Sequence, residues 1–439
     1  MDLTLPFVVL VIAIFLFVGL MAVRNRVLFR ISARNILRKK TNTVIVVAGL
    51  LVGTAIVTSS YVMGDTLEYI FEESIYDELY TVDEIIGRRS GETGTFEYYP
   101  HEYYTKLSVA RDNGQLPSVD GLCPVIIESV PVVNNDTMLS EATVNVIGVD
   151  SLNYSEFGDF VKFGGGDVDE EAVLSQPNAA IINRRLAWKI DAEEGHSLLV
   201  FYDNPFVPSA VLNVTTIVTN EGKANLFNGD NIFISLSTAQ QAFGKLGSIN
   251  LMLVSNKGDV ESGVEKTDSA ISEIKGAIGT ELESSSLEVE PIKADELEFV
   301  ESTSEMVTEI FSIMGTFSII AGIILVVNIF VMLAEERKPE MGISRALGMK
   351  RKQLIQTYLF EGSAYALIAS FVGIFVGLFI AYIMITAFGS IFGAVAFEIS
   401  FHFEVESLVM GFCVGVLITF FTILLASWVV SRMNIVRAI

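Results

Sequence analysis

The segment AEERKPEMGISRALGMKRKQLIQTYLFEG (Ala334–Gly362) is basic and amphipathic, and it lies between two long apolar stretches. Those stretches, Ile310–Leu333 and Tyr358–Phe388, each exceed the roughly 20 apolar residues that a helix needs to cross a bilayer. The segment is too polar to lie in lipid and too short to form a domain. It therefore predicts a short structured loop between two membrane spans, a surface that a cytoplasmic partner protein can bind.

The composition of the whole chain is that of a membrane protein. Hydrophobic residues make up 51% of its 439 residues and the mean hydropathy is +0.51, which is too apolar for a soluble protein. The excess lies in continuous runs, whereas barrel strands alternate over about ten residues. The predicted spans are Leu3–Val23, Val44–Met63, Ile310–Leu333, Tyr358–Phe388 and Leu408–Val430.

The basic residues predict the topology. Arg24–Asn42 carries seven basic residues and no acid, and Glu335–Thr357 carries six basic and three acidic residues. Arg432 and Arg437 follow the last span. Because Lys and Arg accumulate on the cytoplasmic side, these three segments are predicted to be inside, which an alternating count of five spans reproduces. The N-terminus is then outside and the C-terminus inside the plasma membrane.

The first apolar run, Leu3–Val23, has two interpretations. A signal peptide carries positive charge before its apolar core, whereas only Asp2 precedes this run and the basic residues follow it. We therefore expect a retained membrane anchor.

The segment between Gly64 and Glu305 is strongly acidic. It has 43 acidic and 14 basic residues, whereas the cytoplasmic segments are basic and the whole chain has a net charge of −23. A nucleic-acid partner is not expected, because a phosphate-binding surface needs the opposite sign. The acidity fits a cationic substrate or a high-salt exterior, but a solvated surface that keeps the domain soluble is the favoured interpretation.

These features divide the chain into alternating membrane and aqueous segments. In chain order we predict a transmembrane helix (1–23), a cytoplasmic interfacial basic helix (24–42), a transmembrane helix (43–63), an extracytoplasmic α+β domain with helical stalks (64–305), a transmembrane helix (306–334), a cytoplasmic coupling loop (335–357), a transmembrane helix (358–388), an outer loop (389–407), a transmembrane helix (408–431) and a cytoplasmic tail (432–439).

Helical patterning extends beyond two of the spans. Apolar residues recur at helical spacing from Val44 through Leu79 and again from Asp295 through Leu333, with no proline in either stretch. We therefore expect two helical stalks that carry the outer domain. Val27–Lys40 also has helical periodicity, with arginines among apolar residues, and predicts a helix on the cytoplasmic leaflet whose basic groups meet anionic lipid.

The outer domain is predicted to be mixed α+β. Helical patterns fit Pro177–Ile190 and Val260–Ile278, and the arrangement of Thr81–Leu122 is left open between an inserted subdomain and a flap. Predicted strands, bounded by Gly, Pro, Asn and Asp, are Val125–Val133, Ala142–Val149, Leu198–Tyr202, Ala210–Val218, Asn231–Leu236 and Leu251–Val254.

Pairs of glycines four residues apart occur in three spans. Such pairs let helices approach closely, although glycine is also common in membrane helices, and packing contacts are the favoured interpretation. Self-association is expected through the second span. The pairs are Gly49 and Gly53, Gly373 and Gly377, and Gly411 and Gly415.

Catalysis by this chain is not expected. It has no phosphate-binding loop of the form G-x-x-x-x-G-K-[ST], no nucleophile motif, and three scattered histidines without metal-ligand spacing. Cys123 and Cys413 lie in different layers and cannot pair. Few ionisable groups lie deep in the spans, which argues against an ion-coupled transporter. Glycosylation at Asn135, Asn153 and Asn213 is permitted and left open.

The basic loop resembles the loop between the second and third spans of FtsX/MacB-like ABC permeases, which include lipoprotein-release permeases. That loop reads roughly E-R-x-x-E-[IM]-G-[IV]-x-x-A-[LV]-G-x-x-[RK]. The outer domain resembles a MacB-like periplasmic core domain, at Val146–Asp150, Ala179–Ile190 and Asn231–Phe243. By resemblance, contact with the ATPase partner is expected from Glu336, Arg337, Glu340, Gly342, Arg345, Ala346, Leu347 and Gly348.

The resemblance implies an α-helical membrane protein with four family-type spans and an inserted extracytoplasmic α+β domain, so the N-terminal helix is an addition. It also implies a MacB/LolD-like cytoplasmic ATPase that binds the ATP and Mg²⁺, a second permease copy or half, and export, release or extraction of a substrate. No cofactor is expected in this chain. The alternative function is an outer ligand-binding sensor or scaffold that regulates a cell-envelope enzyme. Whether the chain is a complete permease or half of a duplicated one is left open.

Overall fold

The computed structural model of the chain describes residues 4–38, 40–90, 95–166, 168–303, 348–392 and 401–431, with isolated positions between 306 and 343. The chain forms two compact units. One comprises Met1–Phe71 and Glu301–Ile439, and the other comprises Glu72–Val300. The predicted limits of the outer domain, 64 and 305, stay predictions.

The helices and strands are as follows. The helices are α1 (Thr4–Arg24), α2 (Arg26–Arg38), α3 (Lys40–Leu79), α4 (Glu102–Asp112), α5 (Ser151–Tyr154), α6 (Glu170–Leu174), α7 (Arg184–Lys189), α8 (Leu236–Ala242), α9 (Thr267–Ser285), α10 (Arg351–Phe392) and α11 (Val405–Ser431). The strands are β1 (Glu84–Gly87), β2 (Tyr99–Pro100), β3 (Val119–Asn134), β4 (Ser140–Val149), β5 (Ala179–Asn183), β6 (Ser197–Val200), β7 (Ala210–Val218), β8 (Asn231–Ser235), β9 (Ser248–Ile249), β10 (Leu251–Asn256) and β11 (Glu288–Glu290). Residues 292–303 are also helical.

The first unit is a helical bundle. By length and composition, four described helices could cross a membrane, over Thr4–Arg24, Thr43–Leu79, Ile355–Ala387 and Val405–Leu425. Most of the predicted span at 306–334 and most of the loop at 335–357 lie outside the described residues. The predicted fold class, a helical membrane protein with an inserted α+β domain, is confirmed.

Helix α3 is one uninterrupted helix of 40 residues. The helical patterning predicted from Val44 through Leu79 is therefore confirmed over its full length. Of the second predicted stalk, residues 292–303 are helical, and most of the remainder lies outside the described residues.

The second unit is built on a nine-stranded mixed sheet with the order β11-β1-β10-β3-β4-β8-β5-β7-β6. Strands β4 and β8 are parallel, as are β5 and β7. Alternate residues of a strand point to opposite faces. On β4, Val144 and Val146 enter one buried apolar cluster, whereas Ile147 and Val149 enter another. The sheet is therefore buried on both faces.

Most strands lie where the sequence predicted them, but one helix does not. The predicted helix Pro177–Ile190 is wrong in its first half, because Ala179–Asn183 forms β5 and the helix begins only at Arg184. All five residues of β5 are buried, and a short continuous apolar run fits a buried strand as well as a helix. Asn183 then caps α7 by accepting a hydrogen bond from the amide of Leu186.

The region left open by the sequence belongs to the core of the second unit. Within Thr81–Leu122, β1 pairs with β10, and α4 contributes Leu107 to a buried cluster that also contains Ile274 of α9. The second predicted helix, Val260–Ile278, corresponds to a 3-10 turn followed by α9, which continues to Ser285.

Candidate functional site

Apart from Ile343, the coupling loop is described only at its carboxyl end. Glu336, Arg337, Glu340, Gly342, Arg345, Ala346 and Leu347 lie outside the described residues. Gly348 is described and has a φ of +96°, a conformation that residues with a Cβ rarely adopt. Two residues later the amide of Lys350 donates a hydrogen bond to Oε1 of Gln353 at 2.8 Å, which caps the first turn of α10. A tight turn thus connects the loop to α10.

Helix α3 packs between α10 and α11 at four glycines. A Cβ placed on Gly373 would lie 2.7 Å from Cβ of Thr54, and one on Gly377 would lie 2.7 Å from Cβ of Thr58. Both glycines belong to α10. On α11, a Cβ on Gly411 would overlap Oγ1 of Thr58, and a Cβ on Gly415 would overlap Oγ1 of Thr54.

We call these six residues the glycine seam. Its members on each helix are four residues apart, so one face of α3 meets one face of each neighbour. Thr54 and Thr58 are 1% and 0% exposed, and neither Oγ1 has a hydrogen-bond partner among the described residues. Small residues let membrane helices approach until backbone and side chain touch. The seam therefore fixes α3 against both neighbours at short range.

The third glycine pair is arranged differently. Gly49 is buried, but a Cβ on Gly53 would meet no atom of the described chain within 4 Å. Helix α3 is therefore open at Gly53, and packing of a second permease copy against this pair stays a prediction.

Beyond the seam, α3 is tied to the segment before α11. Asp65 accepts hydrogen bonds from the amide of Glu404 at 2.9 Å and from Oγ of Ser407 at 2.8 Å. Thr66 donates to the carbonyl oxygen of His402 at 2.5 Å. The His402 ring also stacks on Tyr69, with ring centroids 4.3 Å apart. These contacts hold α3 to the start of α11 at a second place along α3, beyond the glycine seam.

In the second unit, a buried ion pair joins two parts of the chain. Nζ of Lys293 lies 2.7 Å from Oδ1 of Asp83, and the two side chains are 0% and 2% exposed. Asp83 follows α3 closely, and Lys293 lies in the first turn of the helical residues 292–303. The amide of Asn256 donates to Asp83 at 2.8 Å, and its side chain donates to Glu84 at 2.7 Å. We call these four residues the stalk base.

The stalk base holds two acids and one base out of water. Burial raises the pKa of Glu84 to about 7, and only one of its oxygens has a hydrogen-bond partner among the described residues. Burial also raises the pKa of Asp83, and the Lys293 ammonium opposes that shift. Breaking a buried pair leaves an uncompensated charge and is strongly destabilising. The stalk base is therefore a rigid joint.

An apolar cluster supports the same joint. Ile75 and Leu79 of α3 are buried together with Val300, and Ile292 and Leu297 pack against them. The last turns of α3 and residues 292–300 therefore lie side by side within the second unit.

A polar cavity of about 720 Å³ opens in the second unit at the carboxyl ends of β4 and β8. Among the described residues that line it, Asp150 is the only carboxylate, and that group accepts hydrogen bonds from the amides of Leu152 and Asn153. Burial lowers the pKa of His101, which favours a neutral ring. The other polar side chains that line the cavity carry hydroxyl or amide groups; they are Ser151, Ser175, Gln176, Asn178, Ser235, Ser237, Thr238, Gln240 and Gln241. Such a lining suits an uncharged ligand that forms hydrogen bonds.

Neither the glycine seam nor the stalk base was predicted from the sequence. Thr54 and Thr58 are visible as polar residues in a weak span, and their spacing of four matches that of the glycine pairs. Asp83, Glu84 and Lys293 carry no sequence signal, because only the fold brings positions more than 200 residues apart into contact. Among the described residues, no group of three or more His, Cys, Asp or Glu could hold a metal ion.

The helical bundle and the inserted α+β unit define a multi-span membrane protein with an outer domain. The family described as "FtsX-like permease C-terminal" matches residues 312–435, and "MacB-like periplasmic core domain" matches residues 43–268. The second match covers more than half of the chain. The chain therefore belongs to the FtsX/MacB-like family of ABC transporter permeases.

Individual relatives are distant. The ABC transporter permease YknZ of Bacillus subtilis is 23% identical over 350 residues, covering 79% of this chain and 83% of that protein. The macrolide export ATP-binding/permease protein MacB of Bradyrhizobium diazoefficiens is 21% identical, covering 81% of this chain and 52% of its own length. The chain thus spans about half of that MacB. The periplasmic region of MacB from Actinobacillus actinomycetemcomitans aligns with a TM-score of 0.34 at 14% identity, covering 53% of this chain and 98% of that one.

A bulky residue in the glycine seam is expected to destabilise the bundle. Leucine at Gly377 would overlap Thr58 and the carbonyl oxygen of Ala55, which lies 2.8 Å from the added Cβ. Overpacking of this kind costs about 1–3 kcal/mol. We expect Gly377→Leu to lower the temperature at which the detergent-solubilised protein loses its monodisperse peak in size-exclusion chromatography.

Gly19→Leu in α1 is the matched control, because a Cβ at Gly19 meets nothing within 4 Å. It is expected to leave the midpoint temperature unchanged. Equal midpoints for the two variants would show that the seam does not hold the helices.

Glu84 is expected to make the second unit less stable as pH rises. Its pKa is about 7 in the folded protein and 4.5 ordinarily, so the folded state binds the proton more tightly. Stability is therefore lost between about pH 4.5 and 7, by up to about 3 kcal/mol. Glu84→Gln should remove this loss, so its advantage over the unmodified protein should grow from pH 5.5 to 8. The measurement is proteolysis of the protein in graded urea.

Asp83 is present in both the Glu84→Gln variant and the unmodified protein. Its own contribution to the pH dependence of stability therefore largely cancels when the two are compared. Glu102→Gln, at an exposed glutamate, is the control and should follow the unmodified protein at both pH values. A constant difference between Glu84→Gln and the unmodified protein would contradict burial of a titrating Glu84.

Proposed function

We propose that this chain is the membrane subunit of an ABC transporter in which a separate cytoplasmic ATPase drives motion of the outer unit. The observation that carries the proposal is α3, a single helix of 40 residues with the glycine seam in its first half and the stalk base just beyond its end. Membership of the permease family supports an ABC ATPase as the partner.

The proposed transmission of motion from the ATPase to the outer unit begins at the cytoplasmic loop. The ATPase binds residues 335–357 and, on closing with ATP and Mg²⁺ bound to itself, displaces the start of α10. Gly348 and the cap at Gln353 connect the loop to α10 without a long flexible linker. Because packed helices move as rigid bodies, displacement of α10 at Gly373 and Gly377 acts on α3.

The path continues through α3 into the second unit. The ion pair of Asp83 with Lys293 and the apolar contacts of Ile75 and Leu79 leave little freedom at the end of α3. A tilt or rotation of α3 is thereby passed to β1, which pairs with β10 and β11 in the nine-stranded sheet. The outer unit moves as one body, which serves export, release or extraction of a substrate outside the membrane.

The assembly is proposed to contain two permease copies or halves. Gly53 offers an open position on α3 for the second copy, next to the buried Gly49, and a pair of ATPase subunits binds the cytoplasmic side of the two copies. The basic segments at 24–42 and 335–357 lie on the cytoplasmic side, as does the C-terminus. The polar cavity of the second unit supports a neutral hydrogen-bonding group in the substrate or in an outer partner.

Coupling is expected to depend on the turn at Gly348. Valine has a Cβ and disfavours a φ of +96°, so Gly348→Val should change the direction in which the loop leaves α10. We expect the co-purified ATPase to lose most of its stimulation by the permease, at least tenfold, while the outer unit stays folded. The measurement is ATP hydrolysis in proteoliposomes.

Gly114→Val is the matched control. Gly114 also has a positive φ, +73°, and open space around it, but it lies in the second unit. That variant should keep full stimulation. Normal stimulation by Gly348→Val, with Gly114→Val also normal, would count against coupling through this loop.

A further inference from the structure

Helix α2 carries an arginine at every fourth position. Arg26, Arg30, Arg34 and Arg38 drift by only about 40° per step around a helix of 3.6 residues per turn, so all four occupy one face about 120° wide. We call them the arginine face. The helix has no acidic residue, and 13 residues make it about 20 Å long.

The opposite face of α2 is packed against the start of α10. Ser32 is buried, and its single hydroxyl proton is shared between the carbonyl oxygens of Leu28 and Thr357, each 3.0 Å from Oγ. The ring of Phe29 meets that of Phe360 edge-on, with centroids 5.7 Å apart. These contacts fix the rotation of α2, so the arginine face points away from the bundle.

The arginine face has no partner in the described protein. All four side chains are exposed, and no hydrogen bond or ion pair between described residues involves them. Like charges four residues apart on a helix repel each other. A row of four guanidinium groups with no acidic partner among the residues that the structure describes is therefore stabilised by an anionic ligand, and the planar guanidinium suits the paired oxygens of a phosphate.

The position of α2 indicates a lipid as the source of that phosphate. The candidate span α1 ends at Arg24, and α2 begins two residues later, directly after the end of that span. Val27 lies within the arginine face and is 72% exposed, and Ile31 at its margin is also exposed. Apolar groups beside basic ones fit the boundary between headgroups and acyl chains better than an acidic protein surface.

We propose that the arginine face of α2 binds the headgroups of anionic phospholipids and that this contact braces the first turns of α10. The brace acts through the hydrogen bond of Ser32 to Thr357 and that of Asn25 to Gln356, which is 3.1 Å long. The lipid site stands on the geometry of α2 alone. Its consequence for the ATPase rests on the proposed function, because α10 follows the coupling loop.

The direct test measures lipid retention by the purified full-length protein without the ATPase. Native mass spectrometry compares phosphatidylglycerol with phosphatidylcholine in mixed micelles at low and high salt. Each basic residue at an anionic surface contributes about fivefold in affinity, so replacing all four arginines by glutamine should weaken phosphatidylglycerol retention by roughly several hundredfold. Single variants Arg30→Gln and Arg34→Gln should each lose about fivefold, which keeps the test valid if the fourfold variant fails to fold.

Two controls isolate the effect. Replacing all four arginines by lysine keeps the charge, so it should weaken phosphatidylglycerol retention much less than glutamine does, by the loss of the paired guanidinium–phosphate hydrogen bonds alone. Glutamine at four basic residues of the second unit removes the same charge elsewhere and should change nothing; these are Lys106, Lys257, Lys266 and Lys275. Unchanged phosphatidylglycerol retention in the single and fourfold arginine variants would overturn the lipid site.

The consequence for coupling is tested separately in proteoliposomes with the ATPase. Stimulation of ATP hydrolysis should fall when phosphatidylcholine replaces phosphatidylglycerol, and Ser32→Ala should lower stimulation without lowering lipid retention. If the arginine variants lose stimulation but retain phosphatidylglycerol normally, the arginine face binds the ATPase and the lipid proposal fails. If lipid retention falls as expected but no lipid or variant alters stimulation, the brace is wrong and the lipid site stands.

Discussion

Thr54 and Thr58 of α3 lie between a pair of glycines on α10 and a pair on α11, and this close packing limits how far α3 can move independently of those two helices. Any side chain on those glycines would overlap the threonines, so the three helices approach to a distance that larger residues forbid. Where helices are this close, a shift of one cannot be absorbed by side-chain rearrangement. Movement of α10 or α11 is therefore imposed on α3, on which the rest of the proposed path depends.

The stalk base performs the corresponding task in the second unit, with different chemistry. Inside the bundle, small residues and close contact suffice, whereas Asp83 and Lys293 are a charged pair held out of water. Such a pair adds little net stability but is costly to break, so it fixes geometry. Glu84 beside it has a pKa of about 7, which leaves the joint sensitive to pH near neutrality. The stalk base is therefore rigid, and its stability depends on pH.

Much of this architecture could be predicted from the sequence, because hydrophobic runs, charge bias and helical periodicity are local signals. From these signals the four described helices that could cross a membrane and the full length of α3 were predicted correctly. Prediction was wrong at Ala179–Asn183, since a short apolar run has no period that separates strand from helix. The contacts of Thr54 with Gly415 and of Asp83 with Lys293 could not be predicted, because they join positions that only the fold brings together.

The most direct test of the account is hydrogen–deuterium exchange of the full permease–ATPase complex, with and without a trapped ATP analogue. If α3 carries motion outward, nucleotide should change exchange in β1 and in residues 292–303, far from the nucleotide itself. The change should disappear when the seam is disrupted by Gly377→Leu in a complex that still hydrolyses ATP. Identical exchange at the stalk base in both nucleotide states would contradict the account.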